Sequence, residues 1–241
     1  MKKQLVMLAC FFAVLTAAAQ GSQEIITGNG KNVKEKRTVT EFSSLKINGP
    51  FEVTLVSGTT GTITLEGSEN IVNLIEVSVN DRTLEINLPK DKKFQAHKNN
   101  KVAIKIPYYT SLNTIYLKGA GSITSRNTLN TNMKLQLEGS GSMDFNLYSA
   151  QGEAYVLGSG CITLTGAVQD FKCMVIGSGS IKALKLDSSN VNVAVSGSGN
   201  ADIVCNQAVT GKISGSGNVA IAGNPKTQDL KRSGSGEFKA F

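Results

Sequence analysis

The chain has 241 residues, with 25 Lys and Arg against 18 Asp and Glu, one histidine and no tryptophan. Although the net charge is +7, the chain offers no basic–aromatic stacking surface, which argues against nucleic acid as a partner. Any Ser-His-Asp or Cys-His arrangement would have to use His97, the sole histidine.

Lys2 and Lys3, the apolar run Leu5 to Leu15, and Ala17-Ala18-Ala19 follow the order of a secretory signal over 1–19, with cleavage expected before Gln20. The run is too short to span a bilayer and no other stretch reaches about 18 apolar residues, so no transmembrane segment is expected in the mature chain. Leu8-Ala9-Cys10 loosely matches a lipidation box, but the apolar run continues past Cys10 through Leu15, which argues against lipidation. Without the leader the charge falls to +5. Cys161, Cys173 and Cys205 then remain, an odd number without CxxC spacing, which points to small buried thiols rather than a disulfide framework or zinc site. Residues 20–36 are polar and read as a flexible lead-in, and 37–241 as one solenoid domain.

Alternation of apolar and polar residues begins around Gly49, with Leu45 and Ile47 before it and Val53 and Leu55 after. Gly67 fits a similar frame, which predicts a second corner 18 residues on. Strands are expected at Val77-Val79, Leu84-Ile86-Leu88, Val102-Ile104-Ile106 and Ile115-Leu117, with a hairpin around Asn80-Asp81. The basic run Lys90, Lys92, Lys93, Lys98, Lys101 and Lys105 has Asp91 as its only acid. It is either an anion-attracting patch or a solubilising loop beside an edge strand.

The C-terminal half is periodic. Glycine pairs fall at Gly119 and Gly121, Gly139 and Gly141, Gly158 and Gly160, Gly177 and Gly179, Gly197 and Gly199, Gly215 and Gly217, and Gly234 and Gly236, in steps of 18 to 20 residues. All are expected to be structural corner glycines. The middle residue is Ala120 in the first pair and serine in the other six. Four residues after each first glycine stand Ile123, Met143, Ile162, Ile181, Ala201, Val219 and Phe238, all apolar. Two residues before it stand Leu117, Leu137, Val156, Val175, Val195, Ile213 and, closing the array, Arg232. Half-buried strands therefore enter and leave a glycine corner. The predicted fold is an all-β parallel β-helix, or β-solenoid, of about 19 residues per coil, with a less regular N-terminal half. Parallel crossovers favour the right-handed form. Seven corners give a stack of roughly 29 Å at the ordinary strand spacing. Glycine turns the chain sharply. The Ser122, Ser142, Cys161, Ser180, Asn200, Asn218 and Glu237 position is expected to satisfy the corner's backbone groups.

The stretch Arg37 to Phe42, then Leu45-Lys46-Ile47-Asn48-Gly49-Pro50-Phe51-Glu52-Val53-Thr54-Leu55, followed by serial GSGS and GSGN corners, resembles the head GIN domain family over about residues 30 to 241. Its members are exported bacterial proteins carrying an adhesin label. The resemblance implies a β-helical fold and an adhesion-type role, and brings no catalytic residues.

Little in the residues points to catalysis. Glycan-cleaving β-helices need clustered carboxylates, yet Asp144 and Asp202 share one coil position three coils apart, roughly 14 Å, beyond the usual inverting separation. The GSG corners lack the GK[ST] ending of a phosphate loop and the aspartate of calcium-binding repeats, so no cofactor and no metal are expected. The expectation is an exported, non-enzymatic binding or adhesion module, periplasmic, outer-membrane-associated or secreted. A glycan or an envelope or host surface protein would be its partner. A structural assembly protein and a polysaccharide-cleaving enzyme are the alternatives.

Overall fold

The computed structural model describes residues 24–59, 61–89, 92–94, 101–108 and 112–240. The expected signal segment, His97, Lys90 and Lys98 lie outside them. Of the described residues 71% are in strands and 2% in helix, and they form a β-solenoid of about seven turns with about 19 residues per turn.

The N-terminal half contains β1 (Glu24–Ile26), β2 (Asn32–Thr38), β3 (Ser44–Asn48), β4 (Glu52–Ser57), β5 (Thr62–Ser68), α1 (Glu69–Val72), β6 (Glu76–Asn80), β7 (Thr83–Asn87), β8 (Lys92–Phe94) and β9 (Ala103–Tyr108). The C-terminal half contains β10 (Thr114–Gly119), β11 (Ser122–Ser125), β12 (Met133–Gly139), β13 (Ser142–Gly158), β14 (Cys161–Gly177), β15 (Ser180–Gly197), β16 (Asn200–Val204), β17 (Ala208–Gly215), β18 (Asn218–Ala222), β19 (Thr227–Ser233) and β20 (Phe238–Ala240).

Two long parallel ladders result. Strands leading into the corners stack in the order β7, β3, β10, β12, the second halves of β13, β14 and β15, then β17 and β19. Strands leaving the corners stack as β9, β4, β11, the first halves of β13, β14 and β15, then β16, β18 and β20. The ladders face each other across the core: a Cβ on Gly211 of the entering ladder would lie 2.6 Å from the Phe238 ring of the leaving one. Ile115, Leu117, Leu135, Leu137, Ile162 and Ile181 are fully buried along these ladders, as period-2 alternation requires.

The corners are built almost wholly from backbone. The first glycine of each repeat has φ between +111° and +121°, where a side chain is strained. The second glycine has an unexceptional φ, but a Cβ there would collide with the preceding coil. At Gly141 it would lie 2.5 Å from the Gly121 carbonyl oxygen. At the C-terminal end the fit is tighter still, 2.1 Å from the Gly199 oxygen at Gly217 and 2.0 Å from the Gly217 oxygen at Gly236. The two glycines of each pair thus answer two different constraints. Ser159 and Gly160 N–H both donate to the Gly139 carbonyl at 2.9 Å, and Cys161 N–H donates to Gly141 at 3.1 Å. The same pattern joins successive corners down the stack, where Gly217 N–H donates to Gly197 and Gly236 N–H to Gly215, both at 2.9 Å.

This corrects the role given to the position three after the first glycine. Backbone carbonyls satisfy the corner amides, and side chains at that position join only in the last coils. There Asn200 Oδ1 accepts from Asn218 N–H at 3.2 Å and Asn218 Oδ1 from Glu237 N–H at 3.1 Å.

The 20-residue step from Gly177 to Gly197 also has a local cause. The register of β14 against β15 slips by one residue between Thr163 and Thr165, and Leu184 stands 44% exposed in the bulge.

The N-terminal half departs from serial stacking. The β3–β4 coil lies between the β7–β9 coil and the β10–β11 coil, so chain order and stacking order differ. Antiparallel strands close this end: β6 on β7, β5 on β9, and β2 on β5. The predicted hairpin at Asn80-Asp81 is present, with Asp81 and Arg82 at φ +47° and +58°. Gly49 is a corner, its N–H donating to Lys118 O at 3.0 Å. Gly67 is not: it sits inside β5 opposite Val33, and Val102 packs where its side chain would be. The 20–36 segment is likewise no simple lead-in, since Glu24–Ile26 pairs with β8 and Asn32–Thr38 with β5. Inward along β2, Arg37 pairs with Glu35 at 2.7 Å and donates to the Val72 carbonyl at 2.8 Å, tying the strand to α1.

Candidate functional site

Because strand side chains alternate, each ladder has an outward face. On the leaving ladder that face is mostly polar: Ser122, Thr124, Ser142, Asp144, Thr163, Lys182, Asn200 and Asp202. On the entering ladder it is different. The column three residues before the corner runs Tyr116, Gln136, Tyr155, Met174, Ala194, and the column one before it runs Lys118, Glu138, Leu157, Ile176, Ser196. Ile176 is 44% exposed, and Tyr155, Leu157 and Met174 are half-buried. An aromatic and aliphatic strip thus crosses a face whose other positions are polar.

The strip is held by charged neighbours. Tyr116 O–H donates to Glu138, and Lys118 Nζ reaches the same carboxylate at 2.7 Å. Tyr155 O–H donates to Glu153 Oε2 at 2.8 Å, and Lys134 Nζ stands 5.7 Å from the Tyr155 ring centre. Burial and the adjacent carboxylate push both phenols up to about 12. Hydrogen bonds from Lys118 and Tyr116 hold the Glu138 carboxyl below its ordinary value.

Towards the N-terminal end, Lys46 pairs with Glu85 at 3.1 Å and Asn48 donates its amide to Asn87. These side chains line a groove of about 920 Å³ together with Glu76, Leu88, Pro89, Tyr116 and Lys118. Sequence reading missed these tyrosines because it searched for carboxylate clusters. The signal was present as apolar residues at offsets where alternation calls for polar ones.

Of the residues singled out beforehand, the corner glycines form a structural column that runs from Gly119 to Gly236. The serines between them line an exposed ridge, with Ser235 Oγ donating to Ser216 Oγ at 3.1 Å. Asp144 and Asp202 are separated by Thr163 and Lys182 in register, three rungs apart. Among the described residues no group of three His, Cys, Asp or Glu converges. In the basic run, Lys92 pairs with Glu24 at 3.1 Å and Lys101 with Glu52 at 2.5 Å, while Lys93 and Lys105 face solvent. Of its four described lysines, two are thus paired; Lys92 and Lys93 lie in β8, Lys105 in β9 and Lys101 just before it. Cys173 and Cys205 are buried and Cys161 is half-buried, all as free thiols. Burial raises the Cys173 and Cys205 thiols.

The stacked parallel ladders, joined through glycine corners, define the class of fold as a β-solenoid. Within that class the chain belongs to the family described as "Putative auto-transporter adhesin, head GIN domain", whose model matches residues 41–225. Its fold is similar to a putative adhesin from Bacteroides fragilis, at 27% identity and a TM-score of 0.82, covering 90% of this chain and 100% of that one. A putative adhesin from Parabacteroides distasonis has the same fold at 20% identity and a TM-score of 0.71, again over 90% and 100% of the chains. So does a putative lipid binding protein from that organism, at 18% identity, TM-score 0.71 and the same coverage. No curated protein matches the sequence. No helix among the described residues is long and apolar enough to cross a membrane.

Proposed function

We propose that the chain is an exported, non-catalytic adhesion module of the cell envelope, which engages its target through the outward face of the entering ladder. The observation that carries this is the strip Tyr116, Tyr155, Leu157, Met174 and Ile176 on a face that is otherwise polar. Exposed apolar groups gathered on one rigid surface and rimmed by polar ones mark an interaction site. Membership in an adhesin-named family and the leader-like N-terminal sequence support export and adhesion. The three-rung separation of Asp144 and Asp202 supports a binding role over glycan cleavage.

The test uses the labelled chain on immobilised cell surfaces, mucin and envelope fractions, with reducing sugar measured in the supernatant. Saturable adherence without sugar release is expected, and Tyr155→Ser combined with Ile176→Ser should reduce it at least tenfold. Sugar release, or adherence untouched by those changes, would overturn the reading.

A further inference from the structure

We propose that this face takes a neutral glycan chain lying along the solenoid axis, with Tyr116 and Tyr155 as its two stacking platforms. The proposal rests on the adhesion reading and gives its ligand a chemical class.

Four observations converge on it. Each phenol donates to a carboxylate on its own surface, Tyr116 to Glu138 and Tyr155 to Glu153, so its oxygen is directed along the sheet rather than away from it. A half-buried ring held in this way is ordered before a ligand arrives, which lowers the cost of binding, and the Lys134 ammonium over the Tyr155 ring sits on a flexible stem that a ligand can displace. The apolar C–H face of a pyranose suits such a ring.

The two tyrosines are two rungs apart in one column, with Gln136 between them. Two rungs span roughly 10 Å, about the advance of two sugar units along an extended chain. Gln136 offers both a donor and an acceptor to the hydroxyls that pass over it.

Charge decides between neutral and anionic ligands. Lys118 is paired with Glu138 and Lys46 with Glu85, and Lys134 stands opposite Glu153 in register. The groove adds one more acid, Glu76. Lys172, the other register neighbour of Glu153, is exposed and brings the count around the tyrosines to four cations against four acids, so a sulfate, sialate or uronate gains no net attraction there, while the carboxylates retain free lone pairs for hydroxyl donors.

Shape and size favour a chain over a protein. The groove lined by Tyr116 continues the tyrosine column through Lys46 and Glu85, its register neighbours on β3 and β7. A stable protein interface buries roughly 800 Å² per partner. The aliphatic part of the strip here is three half-exposed side chains, Leu157, Met174 and Ile176.

The test is a glycan array carrying neutral gluco-, manno-, xylo- and galacto-oligosaccharides beside polygalacturonate, sulfated and sialylated glycans. Calorimetric titration of the best-binding neutral oligosaccharide follows. Neutral chains of four or more units should bind better than disaccharides. Tyr116→Ala and Tyr155→Ala should each weaken binding about tenfold, equal to about 1.4 kcal/mol, and the double variant should abolish it. Thr124→Ala, on the opposite face, should change nothing, and unchanged melting temperatures should exclude misfolding.

Binding confined to anionic glycans would overturn the proposal, as would neutral binding indifferent to both tyrosine variants. If no glycan binds but the labelled chain still adheres to cell surfaces and loses adherence on Ile176→Ser, the partner is a protein. The glycan inference then falls and the adhesion reading stands. A chain that adheres to nothing refutes both.

Discussion

Replacing Gly197 by alanine adds one methyl group at a position that combines a left-handed φ with a close approach to the preceding coil. The residue sits at φ +112°, and the new Cβ would lie 2.5 Å from the Gly177 carbonyl oxygen. Holding a non-glycine residue in that conformation costs roughly 1–3 kcal/mol. Relieving the collision means parting two coils, which weakens the bonds from Ser198 and Gly199 N–H to Gly177, both 2.9 Å. At about 0.5–1.5 kcal/mol each, the total loss is roughly 2–6 kcal/mol. A chain of this size loses about 2–4 °C per kcal/mol, so thermal unfolding followed by circular dichroism should fall by on the order of 5–20 °C. Two controls divide the effect. Gly61→Ala has a left-handed φ of +139° and nothing within 4 Å, so it carries strain alone. Gly199→Ala has an unexceptional φ, but its Cβ would lie 2.4 Å from the Gly179 oxygen, so it carries collision alone. A Gly197→Ala protein melting within about 2 °C of the unmodified chain would refute the stacked-corner account, as would a Gly199→Ala protein as mild as Gly61→Ala.

Three further outcomes are expected. Gly67→Ala should cost less than Gly197→Ala in the same melting experiment, because its nearest neighbours are Val102 atoms at 3.1 and 3.3 Å and its φ is ordinary; a larger loss would restore it as a corner. Iodoacetamide labelling with peptide mapping should modify Cys161 first, and Cys173 and Cys205 only on unfolding, since burial raises both thiols; rapid native labelling of Cys173 would contradict its packing. In an ultraviolet titration Tyr116 and Tyr155 should ionise near pH 12, and Phe substitution at either should remove one late-titrating phenol. A phenol raised in the folded state stabilises fully below its unfolded value near 10. That contribution is lost as pH climbs through 12, so alkali should loosen the strip.

How far the sequence discloses this molecule differs between its halves. From Gly119 onward each coil repeats the same offsets, because every coil solves the same packing problem against an identical neighbour. Reading Ile162, Val175 or Ile213 as core needed only the alternation. The N-terminal end hides its topology, since alternation marks a strand without giving its direction or partner. Thr62–Ser68 has the pattern of a coil arm and runs antiparallel to β9. The inward positions of β2 are Val33, Glu35 and Arg37, two of them charged, and their mutual pairing could be seen only once α1 was folded against them. The corner amides were assigned to serine side chains, whereas stacking lets carbonyls one coil away take them. Tyr116 and Tyr155 were legible as outward residues, but their pinning by Glu138 and Glu153 depends on which strands become neighbours.

The interleaving of the β3–β4 coil has a consequence for how such molecules can change length. Beyond Gly119 each turn touches only the turn before and the turn after, so a duplicated or deleted stretch of about 19 residues leaves every surviving contact type intact. The binding strip would then be lengthened or shortened by whole rungs. Upstream, the 44–57 segment is wedged between two turns encoded after it, and duplicating it would leave the copy no vacant place in the stack. Descendants of this architecture are therefore free to vary in reach at one end only, while the other is bound to a fixed size.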